Sequence, residues 1–147
     1  MGIQENKALY ARYIEEAFNR GNVAVLDELL SDDYTFHDAP PGTPPGREGV
    51  RRTVEMFRTA FPDLHIEIEE QVAEGDVVVS RSVTRGTHRG VLMGIAPTGR
   101  QMAMPGMVMA RIRDGKLTDS WVQNNVLGLL GQLGVEVLPG ATPGRSS

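Results

Sequence analysis

Cysteine is absent from the 147 residues, which excludes disulfides, thiolate nucleophiles and cysteine-held metals. No apolar run approaches the ~18 residues a membrane span requires, and MGIQENKALYARY at the start holds no apolar core of a secretory signal. Positive charge is not in excess either. A net charge of −4 and a pI near 5.4 argue against a nucleic-acid partner, which is met by a basic patch. Glycine-rich phosphate loops, His/Asp/Glu metal spacings and Ser-His-Asp patterns are missing as well. These absences lead to an expectation of a soluble, cytoplasmic protein with no membrane contact and no metal.

What is present is an ordinary globular composition, 40% hydrophobic and 23% charged. Residues 1–138 read as one domain, and 139–147 (PGATPGRSS) as a flexible C-terminal tail. Leu9, Tyr10, Tyr13, Ile14, Ala17 and Phe18 recur at helical spacing within residues 4–20, giving a helix with one buried face. Gly21 stops it, and Asn22 is placed to cap a short second helix over Val23 to Leu30. Tyr34 to His37 reads as a short strand. The loop Asp38 to Gly46 carries four of the nine prolines, and Val50, Val54, Phe57 and Phe61 mark a third helix over 47–60.

Near residue 62 the period changes from 3.6 to 2. Leu64 to Glu69 alternates, Gly75 turns, and Val77 to Gly86 forms the next strand. Thr87 to Arg100 reads as a strand edge and turn. Met102 to Arg113 and Lys116 to Asn125 are two long strands joined at Asp114-Gly115, a pair suited to a turn that needs φ > 0 twice. Three helices followed by four to six antiparallel strands make an α+β domain, with helices on one face of a strongly curved antiparallel sheet enclosing a pocket. A Met- and Val-rich open sheet face calls for cover, and a homodimer supplies it.

Two stretches invite a ligand. Gln123, Asn124 and Asn125 are three adjacent amides that need partners, with Asn125 either capping the helix Val126 to Leu133 or, like Asn124, facing a cavity. Met93, Met102, Met104, Met107 and Met109 are five of the seven methionines, either core filler or an adaptable lining for a flat, greasy ligand. Arg81, mid-strand, needs an acidic partner such as Asp38 if buried; otherwise it lies on the open sheet face. His88 is expected to anchor its turn, and His65 to face solvent.

The segments NKALYARYIEEAFNRGN, HDAPPGTPPGREGVRRTV, AFPDL, GTHRGVLMGIAPTGR, RIRDGKLTDSW and LGLLGQLG occur in this order, and over about residues 6–134 the chain resembles the SnoaL-like polyketide cyclases of the nuclear transport factor 2-like superfamily. The resemblance implies a cone-shaped α+β fold, a homodimer, and cofactor-independent aldol cyclisation of polyketide esters. It also implies a departure. The family's acid/base aspartate on the last strand corresponds to Val122, and its assisting histidine to Val108, so the Asp/His aldol mechanism is not expected here. Relatives of the fold that hydrolyse epoxides hold a water with an asparagine, and that position corresponds to Asp38. Asp38, with His37, is therefore the candidate catalytic pair, as base or water-holder; the plain alternative is an Asx-turn with a surface histidine. Phe18, Phe57, Met104, Val108, Trp121, Val122, Asn124 and Asn125 are the expected contacts to a hydrophobic small molecule. Three functions stay open: a cyclase-like enzyme, a hydrolase or isomerase centred on Asp38, and a ligand-binding protein without catalysis.

Overall fold

The computed structural model describes residues 2–135; the expected tail, 139–147, lies outside them. Helix α1 (Ile3–Tyr13) runs directly into a π-helical turn (Ile14–Asn19), followed by α2 (Val25–Leu29), β1 (Leu30–His37), α3 (Gly46–Ala60), β2 (His65–Glu74), β3 (Val77–Thr87), β4 (Gln101–Arg113), β5 (Lys116–Asn124) and α4 (Val126–Gln132). The five strands form one sheet in the order β1-β5-β4-β3-β2. This is an α+β fold with a mixed sheet.

Asp114 and Gly115 both take positive φ, 52° and 75°, and close the β4–β5 hairpin as their residue types require. Gly75 (φ 59°) does the same between β2 and β3. The sheet is not wholly antiparallel, which corrects the expectation. β1 pairs with β5 in parallel, Thr35 opposite Asp119 and His37 opposite Trp121. These strands are far apart in the chain, so no short turn dictates their relative direction. β1 also begins at Leu30 rather than Tyr34. Its polar stretch Ser31 to Asp33 looks like a break, but Arg47 fixes it by donating to the Leu30 carbonyl at 2.9 Å and to Asp32 at 2.7 Å.

The first helix departs from expectation in a way no periodicity announces. At Ile14–Asn19 the helix widens, with the Arg20 amide reaching the Glu15 carbonyl. Single π turns of this kind recur at functional sites. Asn22 does not cap α2 through its side chain. The core has two parts. One packs Tyr10, Ile14, Leu26, Leu30 and Val54 beneath the sheet, the other gathers Phe61, Leu92, Met102, Met104 and Leu129. Leu92, fully buried, pins the 88–100 loop. The proline loop is held equally closely: a Cβ on Gly49 of α3 would meet the Pro44 carbonyl oxygen at 2.2 Å.

Candidate functional site

Helices and the inner sheet face enclose a cavity of about 760 Å³. Its outer end is rimmed by exposed residues, Asp38, Met56, Met93, Asn124 and Val126. Its inner end is closed by Tyr10, Tyr13, Tyr34 and Ser120, all buried. Between them lies an apolar band that includes Ile14, Val50, Phe57 and the paired Val108 and Val122. Because β1 and β5 are parallel, both rise from the closed end to the mouth: Tyr34 leads to Asp38, and Ser120 to Asn124, each about 13 Å at ~3.3 Å per residue.

Phe18, Phe57, Met104, Val108, Val122 and Asn124 all line this cavity. Asp38 lies at its mouth with its backbone in the left-handed region (φ 55°), a conformation Asp tolerates better than most residues. It is the only carboxylate, and Arg52 the only side-chain cation, among the described lining residues. Asp38 is exposed rather than buried. Asn124 is placed by a glycine opposite it. A Cβ at Gly106 would lie 1.9 Å from Asn124 Oδ1, so only the bare backbone lets that amide lie across β4.

Three expected site residues lie elsewhere. His37 is on the outer sheet face, where Nε2 meets Asp119 Oδ1 at 2.9 Å. Trp121 stacks flat on His37, with ring centroids 4.3 Å apart, and the Arg111 guanidinium sits 5.6 Å from the indole centroid. The reason is the pleat: with Tyr34 and Ser120 facing inward, His37 and Trp121 must face outward. Trp121 and its neighbour Val122 were never able to share a face. Asp38 falls on the cavity side by the same alternation, after Tyr34 and Phe36, and its positive φ ends the strand there. Asn125 is the α4 cap, its Oδ1 accepting from the Gly128 amide at 2.9 Å.

The remaining candidates take structural positions. Arg81 is on the outer face, donating to Glu69 at 2.6 Å and to Glu70 at 3.4 Å, and does not approach Asp38 through an ion pair. His65 is exposed. His88 is buried and its Nδ1 accepts from the Thr98 amide, anchoring the turn. The methionine stripe divides by strand period, Met102 and Met104 inward, Met107 and Met109 outward. On the outer face, burial opposes ionisation of Asp119, but hydrogen bonds from His37 and Thr118 and the nearby charges hold its carboxyl below the usual range.

Sequence reasoning overlooked the hydroxyl groups. The helical period marks Tyr10 and Tyr13 only as part of an apolar face, yet a buried tyrosine brings an O–H that needs a place. Burial, reinforced by Tyr34 nearby, pushes the Tyr10 and Tyr13 phenols well above their ordinary range. Burial likewise pushes Tyr34 up to about 12, opposed by Ser120 and aided by the Asp119 charge. All three stay protonated at neutral pH. Ser82 and Thr84 add hydroxyls from β3. No group of three or more metal-ligating carboxylates and histidines occurs among the described residues.

Helices packed on one mixed five-stranded sheet around a largely apolar, hydroxyl-ended cavity define the class: a small α+β fold with an internal cavity. Within that class the chain belongs to the SnoaL-like polyketide cyclase family, whose model matches residues 8–133. Aklanonic acid methyl ester cyclase DnrD of Streptomyces peucetius is 30% identical over 126 residues, covering 84% of this chain and 87% of that protein. Nogalonic acid methyl ester cyclase of Streptomyces nogalater is 31% identical over 123 residues, 80% of this chain and 90% of its own. The structure of TsrD from Streptomyces laurentii superimposes with a TM-score of 0.84 at 27% identity, covering 92% of this chain and 99% of that one. Among the described residues no helix is long and apolar enough to cross a membrane.

Proposed function

We propose that the protein takes a hydrophobic, oxygen-bearing metabolite of the polyketide kind into this cavity and transforms it by acid–base chemistry without metal or cofactor, Asp38 acting as the base. One observation carries the reading: the single carboxylate of the described lining stands at the mouth of a largely apolar cavity, whose one side-chain cation among those residues, Arg52, is exposed. In an intramolecular aldol closure, the base takes a proton from the carbon next to a carbonyl, and the resulting enolate attacks a second carbonyl in the same molecule. One C–H bond breaks, one C–C bond forms, and the alkoxide regains a proton, so mass is conserved. Val108 and Val122 supply no proton acceptor, which supports moving the base to Asp38. The curated relatives act on methyl esters of aklanonic and nogalonic acids, and these are the natural first probes.

Incubation with nogalonic acid methyl ester, followed by chromatography and mass spectrometry, is expected to give a product of unchanged mass and altered retention. Asp38→Asn is expected to lower the rate by ~10²–10⁴. Unchanged turnover in Asp38→Ala, with circular dichroism intact, removes Asp38 from the mechanism. Binding without turnover by the unsubstituted protein favours a non-catalytic carrier instead. An outcome in which Asp38→Asn keeps activity and Asp38→Ala loses it points to a water-holding role, the hydrolase-like alternative.

A cytoplasmic homodimer completes the proposal. Val72, Met107 and Met109 are exposed on strands of the sheet, at 57%, 52% and 37%. Burying them against a second copy removes apolar surface from water. Sedimentation at micromolar concentration is expected to give twice 16.0 kDa, and a monomer alone refutes it.

A further inference from the structure

The closed end of the cavity contains a polar group that the fold leaves unsatisfied. Ser120 is 3% exposed and lines the cavity, and its Oγ has no hydrogen-bond partner. Its neighbour across the parallel β1–β5 pair is Phe36, and across β4 it is Ala110, neither with a polar side chain to offer. Tyr34 lies near enough for the Ser120 hydroxyl to ease its ionisation, but the two do not reach hydrogen-bond geometry. Leaving a buried hydroxyl unpartnered is costly, and such groups in folded proteins call for an explanation.

We propose that Ser120 and Tyr34 form a subsite for a neutral oxygen, a keto or phenolic group carried at the leading end of the ligand. The inference rests on the cavity reading above and deepens it by specifying the ligand. Tyr34 stays protonated and donates; Ser120 both donates and accepts. A carboxylate is disfavoured there, because the only side-chain cation of the described lining, Arg52, is exposed. The ligand thus has an oxygen at the deep end, an apolar body against Val108 and Val122, and its reactive portion beside Asp38, about 13 Å away along the strands. Orientation follows from this arrangement: the oxygenated end enters first.

Fluorene, 2-hydroxyfluorene and fluorene-2-carboxylate share one flat skeleton and differ only in the terminal group. Calorimetric or fluorescence titration of the unsubstituted protein is expected to rank 2-hydroxyfluorene above fluorene by about tenfold, the worth of one good hydrogen bond, with the carboxylate weakest. Tyr34→Phe and Ser120→Ala are each expected to abolish the preference for the phenol while leaving fluorene affinity unchanged. Ser120→Ala carries a second readout. Removing an unsatisfied hydroxyl is expected to raise the melting temperature of the ligand-free protein even as it weakens binding of the phenol. Equal affinity for fluorene and 2-hydroxyfluorene in the unsubstituted protein, or a preference that survives both substitutions, overturns the subsite and leaves the cavity reading intact. Binding of none of the three overturns both.

Discussion

Asn124 depends on what stands opposite it. Gly106 leaves space for the amide to lie over the β4 backbone, and any side chain there collides with it. Gly106→Ala is expected to destabilise the fold by about 1–3 kcal/mol through overpacking, and to displace Asn124 from the mouth. Denaturant titration measures the first effect, and loss of ligand affinity the second. A Gly106→Ala protein with unchanged midpoint and unchanged affinity contradicts both. His37 makes the opposite case. Stacked outside the cavity and bonded to Asp119, it is expected to leave turnover unaffected when changed to Ala, despite standing next to Asp38 in the chain. A rate assay beside that of Asp38→Ala separates the two neighbours.

At the scale of elements, legibility followed locality. The β4–β5 hairpin was readable because Asp114-Gly115 states its turn chemistry in two residues, and α3 because its apolar positions recur at one period. The parallel β1–β5 pairing was not, since it joins segments more than eighty residues apart with no short connection to constrain them. The π turn was hidden because one extra residue per turn leaves the apolar spacing almost unaltered. Trp121 falls outside the cavity for a simpler reason: it and Val122 are adjacent residues of one strand, and the two-residue period lets only one of them face inward. The resemblance located the valines; the pleat alone decides which neighbours join them.

Helix α4 is short and depends on its ends. Asn125 caps its start, and Gln132 clamps its last turn to β4, donating to the Ala103 carbonyl at 2.9 Å and accepting from the Ala103 amide at 2.8 Å. Asn125→Ala is expected to cost ~0.5–2 kcal/mol and to raise hydrogen exchange at the Gly128 amide first. Exchange there that matches the unsubstituted protein indicates the cap contributes nothing.

For the molecule as a whole, acid is the expected weakness. The Asp63 carboxyl is held below its ordinary range, by the Thr87 amide and hydroxyl above all, and Asp119 and Asp76 are depressed through His37 and Arg113 respectively, against burial. A carboxylate whose folded pKa lies below its unfolded value contributes stability that is complete above the unfolded value of about 4 and is lost as pH falls through the folded one. Melting temperature is therefore expected to change little from pH 7 to pH 5 on account of these groups, and to fall steeply below pH 4. Asp63→Asn is expected to flatten that acid limb in part, which a series of thermal melts reads directly.

The stacked pair on the outer face also determines how the protein can be watched. Trp121 is the sole indole of the chain, and it reports from the far side of the sheet, face to face with an imidazole. Its emission is a gauge of whatever covers that face, where the stacked pair lies only part-buried. A ligand in the cavity does not meet it, because Trp121 is not among the lining residues, so intrinsic fluorescence follows self-association while occupancy needs a probe with its own light.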